Sequence, residues 1–229
     1  MIIGKGMIAR AFSAYDNNSE VIIFASGVSN SLGSEEIHFN REKELLEKTI
    51  QNHPNSVLVY FGTCSVSDPE LSHCPYVKHK IKMENIIQKS CKHYYIFRLS
   101  QVVGKTNSPT LVNFLVKKIE SREPFNIWEH STRNLIDVDD VFKIAHYLIQ
   151  NRLFTNQITN IAAPLSLSIF DIVAIIEQLS GHKGYYDIEN RGGHYDIDTN
   201  KIFSYINAIG VSFVEKYPFS IIEKYFFEK

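Results

Sequence analysis

The chain is poor in cysteine, has no long apolar run and carries almost no net charge, and each shortage removes a class of function. Three cysteines, Cys64, Cys74 and Cys91, stand among 229 residues. They form no C-x-x-C pair and no zinc-like spacing, so neither a disulfide framework nor a metal site is expected. Such thiols fit a reducing compartment, and the expected location is cytoplasmic. No apolar run approaches the roughly twenty residues that span a bilayer, and the start, MIIGKG, lacks the ordered regions of a secretory signal. Membrane insertion is therefore not expected. A formal net charge of -1, without a stripe of lysine and arginine, gives no electrostatic footprint for a nucleic-acid partner. No internal repeat or low-complexity linker is present. What remains, with 44% hydrophobic residues, is enough apolar material for one domain, or for one with a smaller appendage.

The apolar pattern alternates between short continuous runs and helical periods. Strands are expected at Ile2-Ile3, Val21 to Ala25, Ser56 to Phe61 and Tyr94 to Leu99, with helices at Met7 to Tyr15, Arg41 to Gln51 and Tyr76 to Cys91 between them. A polar loop, GVSNSLGS, follows the second strand. This order argues for a parallel sheet covered by helices, with right-handed crossovers. Further on, helices are expected near Pro109 to Glu120, Asp139 to Gln150 and Ser168 to Leu179, with strands at Phe125 to Trp128 and Ile158 to Ala162. Loops from Gly181 to Gly193 lead to two last helices, Thr199 to Ile209 and Phe219 to Phe227. The C-terminal third reads as a small lobe closing over the strand-end cleft.

Thr63, at the end of the run SVLVYFG, precedes Tyr76 and Lys80 of CPYVKHK. Residues four apart share one helix face, with roughly 6 Å of rise between them, so Tyr76 and Lys80 form a workable proton-transfer pair. A free tyrosine has a pKa of about 10, and bringing it near neutrality takes roughly 4 kcal/mol of preferential phenolate stabilisation. A lysine ammonium supplies part of this, and a threonine hydroxyl can hold the oxygen on which the proton is exchanged. Tyr-x-x-x-Lys also arises by chance in a chain with 12 Tyr. Cys64, beside Thr63 on an apolar strand end, reads as packing. A second signal lies at the start: Gly4, Gly6 and Ala9 in GKGMIARAF follow a short strand and open a helix, the context in which a G-x-G-x-x-A/G turn brings backbone close to a pyrophosphate. The acidic residue that normally meets the adenosine ribose about twenty positions later is missing. Glu20 precedes its strand instead of ending it, and Asp16 sits at a helix end. Lys5 and Arg10 are either phosphate contacts or solvated charges.

Taken together these phrases resemble the extended short-chain dehydrogenase/reductase superfamily, in particular its NAD-dependent epimerase/dehydratase and sugar-nucleotide ketoreductase group. GKGMIARAF resembles the nucleotide loop, FASGVSNS the strand end lining the cofactor cleft, and VYFGTCSVSDP the strand with a catalytic Ser or Thr three residues before a valine. CPYVKHK resembles the catalytic helix, FRLSQVVG the segment after the next strand, and WEHSTRNLIDVDDV the late R-D-F-I-x-V-x-D-V phrase. The resemblance implies an α/β, Rossmann-like parallel sheet with helices on both faces. Residues 1–110 would form a shortened core, and residues 111–229 a mixed substrate-binding lobe whose strands and helices return to it. It makes Tyr76 the acid/base, Lys80 its partner and a contact to the nicotinamide ribose, and Thr63 the holder of the sugar oxygen. Gly4, Lys5, Gly6, Met7, Ile8, Ala25, Ser26 and Gly27 would line the NAD or NADP site. Arg133 would meet the diphosphate of a nucleotide-diphosphate sugar, a use suited to its guanidinium fork, and Asn113 would lie on the substrate side.

Two departures from the family pattern shape the expectation. The glycine-loop helix runs almost directly into VIIFASG, so the usual second and third strands are absent, along with much of the adenosine-binding half. Thr63 is followed by Cys64 and Ser65, where sugar-nucleotide dehydratases carry Asp and Glu, which argues against a 4,6-dehydratase. The expected function is NAD(P)-dependent reduction or epimerisation of a nucleotide-linked sugar. The alternative is a catalytically weak or inactive family member that binds sugar nucleotides or serves in assembly. The helices at Arg41 to Gln51 and Tyr76 to Cys91 match those that pair two subunits in similar proteins, so the resemblance implies a homodimer, with internal packing of the same apolar faces as the alternative.

Overall fold

The computed structural model describes residues 1–28 and 36–228; residues 29–34 of the expected polar loop GVSNSLGS lie outside them. Five parallel strands form the main sheet: β1 (Ile2–Ile3), β2 (Val21–Phe24), β3 (Val57–Thr63), β4 (Tyr94–Leu99) and β9 (Gln157–Ile161), in the order β1-β2-β3-β4-β9. Between the first four lie α1 (Met7–Ala11), α2 (Glu36–Asn52) and α3 (Pro75–Ser90). β2 is buried along its whole length, and so is β3 from Leu58 to Thr63. That is why they read as unbroken apolar runs: both faces of a parallel sheet are covered.

Side chains alternate along the strands, and the two faces collect different helices. Leu58, Tyr60 and Ile96 pack with Leu46 of α2 and Met83 and Ile87 of α3. Val59, Phe61 and Phe97 pack with Phe12 and Tyr15, which follow α1, and with Val141 and Ile144 of a later helix, α5 (Val138–Gln150). Since β1 to β4 step in one direction across the sheet, a helix on the opposite face reverses the hand. The β1-α1-β2 crossover is thus opposite in hand to the next two, against the expectation of uniform hand. The cause is topological. In a doubly wound sheet of order 3-2-1-4-5-6 the helix after strand 1 leads away from strand 4 and lies on the other face from those that follow strand 4. Removing strands 2 and 3 leaves that helix in place and joins it to strand 4. The observed order is such a sheet without one wing, and β1 is its edge.

Beyond β4 the chain forms small paired strands around the cleft mouth. β5 (Gln101–Val103) pairs in parallel with β8 (Leu135–Asp137), β6 (Phe125–Trp128) in parallel with β11 (Tyr186–Glu189), and β7 (Thr132–Arg133) antiparallel with β10 (Leu167–Ser168). α4 (Leu111–Glu120) and α6 (Ile169–Ser180) bury a separate apolar cluster with α9 (Tyr217–Phe226). α6 begins at a capping box, Ser168 with Asp171, and ends at Gly181 in the left-handed conformation, so both of its ends are written in the sequence.

Several expected elements have different bounds. The helix expected from Met7 to Tyr15 ends at Ala11 and is followed by a 3-10 turn, Ser13–Tyr15. The helix expected from Arg41 begins five residues earlier, at Glu36. The one expected from Thr199 to Ile209 is two short helices, α7 (Asn200–Phe203) and α8 (Ile206–Ile209), with Ile202 and Ile206 both buried. β11 lies where only loops were expected: it is exposed along most of its length, so no apolar run marks it. Ile37 of α2 and Ile81 of α3, on the helices expected to pair two subunits, remain exposed. Among the described residues no helix is long and apolar enough to cross a membrane, and no group of three or more His, Cys, Asp and Glu could hold a metal ion.

Candidate active site

β3 delivers Thr63 to the C-terminal edge of the sheet, where the strand gives way to a 3-10 turn, Cys64–Ser67, that Thr63 caps by accepting the Ser65 N–H at 3.1 Å. α3 then brings Tyr76 back to the same edge. Its start is fixed by Cys74, whose sulfur accepts the Val77 N–H at 3.5 Å, and by Pro75 in the first turn. Thr63 and Tyr76 are both buried and line the same cleft. Burial, and then the charge of Glu42, push the Tyr76 hydroxyl above the usual tyrosine range, while the Thr63 hydroxyl acts the other way. Cys64 donates to the Arg98 carbonyl at 3.2 Å, and burial raises its thiol to about 12. Its burial fits the packing role expected of it.

Lys80 lies one turn beyond Tyr76, and its ammonium turns towards α2. It donates to Glu42 Oε1 at 3.1 Å and to the Tyr60 hydroxyl at 3.1 Å, with a longer contact to the Phe61 carbonyl at 3.5 Å. Its Nζ stands 5.9 Å from the centre of the Tyr76 ring. Glu42 is fully buried and also accepts from the Tyr60 hydroxyl at 2.7 Å and the Val28 N–H at 2.6 Å, with His79 Nε2 at 3.0 Å from Oε2. Burial alone would raise this carboxyl. The Lys80 ammonium and the hydrogen bonds from His79, Val28 and Tyr60 outweigh it and hold the value at about 2. Glu42, Tyr60 and His79 were not singled out in the sequence. The available signal was a carboxylate on the apolar face of α2, in register with Leu46 and Thr49.

At the other end of the cleft, Gly4 has φ of +130°, and a Cβ there would meet the Ala25 carbonyl oxygen at 2.3 Å. This glycine closes the turn between β1 and α1. A Cβ on Gly6 would meet nothing within 4 Å, so the backbone here faces open space. Gly6 begins α1 without a side-chain cap. The open cradle therefore fits the pyrophosphate of a dinucleotide. One cleft of about 620 Å³ runs from Gly6, Met7 and Ile8 past Ala25 and Gly27 to Thr63, Tyr76 and Lys80, and on to Arg133. Ser100 and Ser131 also line it, and their buried hydroxyls have no partner, as expected of groups that a ligand would complete. The adenosine end fits less well. No strand lies beyond β1 among the described residues, and β2 ends at Phe24, not at a carboxylate.

The remaining candidates are more peripheral. Lys5 is exposed, and its carbonyl accepts from Arg10, which also reaches the Lys105 carbonyl at 2.6 Å. The Ser26 carbonyl accepts from Arg41 at 3.2 Å. Asn113 spends its amide nitrogen on the carbonyls of Thr106 at 2.8 Å and Ser108 at 3.0 Å, shaping the loop before α4. Arg133 is half-buried and donates to the Thr132 carbonyl at 2.7 Å. Near it lies Tyr195, a residue without a sequence signal of its own, whose hydroxyl is pushed up by burial while the Arg133 guanidinium acts the other way. Its loop is held by His194, 3.0 Å from the Thr132 hydroxyl, and by Arg191, stacked 3.9 Å from the centre of the Trp128 ring.

The five-stranded sheet, its flanking helices and the strand-end cleft define a Rossmann-like α/β protein with a reduced set of strands. The model of the NAD dependent epimerase/dehydratase family matches residues 8–162, and the chain belongs to that family. Among solved structures it is similar to the UDP-glucose 4-epimerase of Thermus thermophilus in complex with NAD, at 14% identity and a TM-score of 0.68, over 93% of this chain and 79% of that one. It is similar too to the UDP-N-acetylglucosamine 4-epimerase of Methanobrevibacter ruminantium, at 17% identity and a TM-score of 0.67, over 91% of this chain and 78% of the other. A third similar structure is the GDP-mannoheptose C4 reductase of Campylobacter jejuni with NADP bound, at 16% identity and a TM-score of 0.67, over 90% and 80% of the two chains. A search of curated proteins gives no match.

Proposed function

We propose that the protein is an NAD(P)-dependent reductase or epimerase of a nucleotide-diphosphate sugar, with Tyr76 as the group that exchanges the proton. The observation that carries this reading is the single cleft that joins the open Gly6 cradle, Thr63 and Tyr76, and Arg133. Bound NAD(P)H would supply the hydride. Thr63 would hold the reacting sugar oxygen while Tyr76 gives it a proton, or takes one in the reverse direction. Arg133 would hold the diphosphate in its guanidinium fork, and the orphan hydroxyls of Ser100 and Ser131 would bond to the ligand. The complexes of the similar structures with NAD and NADP support the cofactor, and their names support the substrate class. A second reading, a binding or assembly subunit without turnover, is favoured by one observation: Lys80 is engaged by Glu42.

Titration with NADH and NADPH separates the two readings, since no binding of either up to about millimolar concentration, a free energy of about -4 kcal/mol, would favour the second. In the first, Tyr76→Phe retains cofactor affinity and loses turnover by about 10²- to 10⁴-fold. Unchanged turnover in that variant would remove Tyr76 from the chemistry.

A further inference from the structure

The buried cluster around Glu42 bears directly on the Tyr76–Lys80 pair. An ammonium has three N–H donors, and Lys80 has three oxygens before it: Glu42 at 3.1 Å, the Tyr60 hydroxyl at 3.1 Å and the Phe61 carbonyl at 3.5 Å. No donor is left over for a tyrosine hydroxyl or a ribose diol. Glu42 also cancels most of the field of the cation, because a carboxylate this close leaves a dipole where a lone charge would stand. The glycine of the cleft wall is part of the same packing, for a Cβ on Gly27 would lie 2.6 Å from Lys80 Nζ and 3.0 Å from Glu42 Oε1.

We propose that Glu42 is a positioning residue for the Tyr76–Lys80 pair: by holding the Lys80 ammonium against its own carboxylate it keeps Tyr76 a proton donor, which commits the site to carbonyl reduction over alcohol oxidation. The charged and titratable neighbours agree. Tyr76 is faced by Glu42 from α2 and by Cys74 ahead of its own helix. Tyr60 of β3 donates to Glu42 and is itself pushed up by burial. His79, stacked on Phe39 at 4.5 Å, bonds to the second Glu42 oxygen. Glu84, further along α3, is spent on Arg98 of β4 at 3.0 and 2.6 Å. The Thr63 hydroxyl acts in the opposite sense and favours the Tyr76 phenolate.

The direction rests on the proposed function; the protonation of Tyr76 does not. In reduction, bound NAD(P)H would supply the hydride to the carbonyl carbon, and the C=O π pair would move to oxygen. The Tyr76 O–H bond breaks, its proton passes to that oxygen and its electron pair stays on the phenolate, which water reprotonates before the next turnover. In oxidation a phenolate must be present first, so that rate climbs about tenfold per pH unit below the tyrosine pKa.

The test is a tyrosinate absorbance titration of the ligand-free protein, with the Tyr76→Phe titration subtracted to isolate one tyrosine among 12. Tyr76 of the wild type is expected to ionise above about 10, the value of free tyrosine. The same subtraction made with Glu42→Gln is expected to show Tyr76 ionising at least about one unit lower, and with Glu42→Asp at the wild-type pH. Ionisation at or below about 10 in the wild type overturns the proposal, and that measurement needs no change at Glu42. So does an unchanged value in Glu42→Gln, since burial alone would then account for it. Failure of NADH and NADPH to bind would remove the proposed function and leave the titration standing.

Discussion

Gly4 and Gly6, one residue apart on either side of Lys5, separate structure from function at the scale of single residues. Gly4 sits at φ of +130° with the Ala25 carbonyl 2.3 Å from any added Cβ, so Gly4→Ala strains the backbone and forces β1 from β2. That variant is expected to lose about 1–3 kcal/mol or more of stability. Gly6 has φ of -75° and open space around it, so Gly6→Ala should fold with unchanged stability. Its methyl group would nevertheless stand where a pyrophosphate approaches the backbone, and NADH affinity should fall by at least about tenfold, or 1.4 kcal/mol. Thermal unfolding and cofactor titration of the two variants check both halves. Equal cofactor affinity in Gly6→Ala and the wild type would show that the cradle holds no pyrophosphate. The pair also illustrates what a motif conveys: G-x-G marks both positions alike, and only the surroundings divide the labour.

At the scale of elements, the missing wing of the sheet governs what the cleft can hold. A ligand lying across strand ends needs a floor on both sides of the switch point, and β1 is an edge in the order β1-β2-β3-β4-β9. The adenosine half of a dinucleotide therefore gains little here, and reduced nicotinamide mononucleotide should bind within about tenfold of NADH. NADPH should likewise stay within about tenfold of NADH, since among the described residues no carboxylate ends β2 to repel or receive the ribose substituent. Fluorescence titration of the three nucleotides decides this; NADH binding about a hundredfold tighter than the mononucleotide would mean that an adenosine site exists. The missing wing was legible in the sequence, because so few residues separate Met7 from Val21 that no further strand and helix fit. The β2, β3 and β4 runs and α3 were legible for a related reason: buried parallel strands and a capped helix write continuous or periodic apolar signals. β11 wrote none, being mostly exposed, and the reversed hand of the first crossover is a property of which face α1 covers, which no local pattern encodes. Thr63 and Tyr76 could be found as a pair because one strand end and one helix start bring them together. Glu42 could not, since its partners Val28, Tyr60, His79 and Lys80 come from three other parts of the chain.

At the scale of the whole molecule, α9 closes onto β8, the strand that follows Arg133, and this ties the cleft to the far end of the chain. Tyr217 opens α9 and is buried between two aspartates: its hydroxyl accepts the Asp137 N–H at 2.9 Å and donates to Asp140 at 2.9 Å. Tyr225 donates to Asp137 at 2.6 Å, and Lys224 reaches Asp137 at 2.8 Å and Asp139 at 2.7 Å. Asp137 ends β8, caps α5 through the Asp139 N–H at 2.8 Å, and lies four residues from Arg133. Tyr217→Phe keeps the ring and removes both hydrogen bonds, leaving the Asp137 N–H buried without a partner, while Asp140 keeps Lys143 at 2.8 Å. The expected cost is about 1–3 kcal/mol in unfolding free energy. Because β8 continues from the strand that holds Arg133, the same variant should weaken binding of a nucleotide-diphosphate sugar and leave NADH affinity unchanged, as the Gly6 cradle lies at the other end of the cleft. Denaturant unfolding and two separate ligand titrations measure these effects. If stability falls while both affinities hold, α9 fastens the fold without positioning the substrate end; if stability itself is unchanged, the Tyr217 hydroxyl is not what closes the molecule.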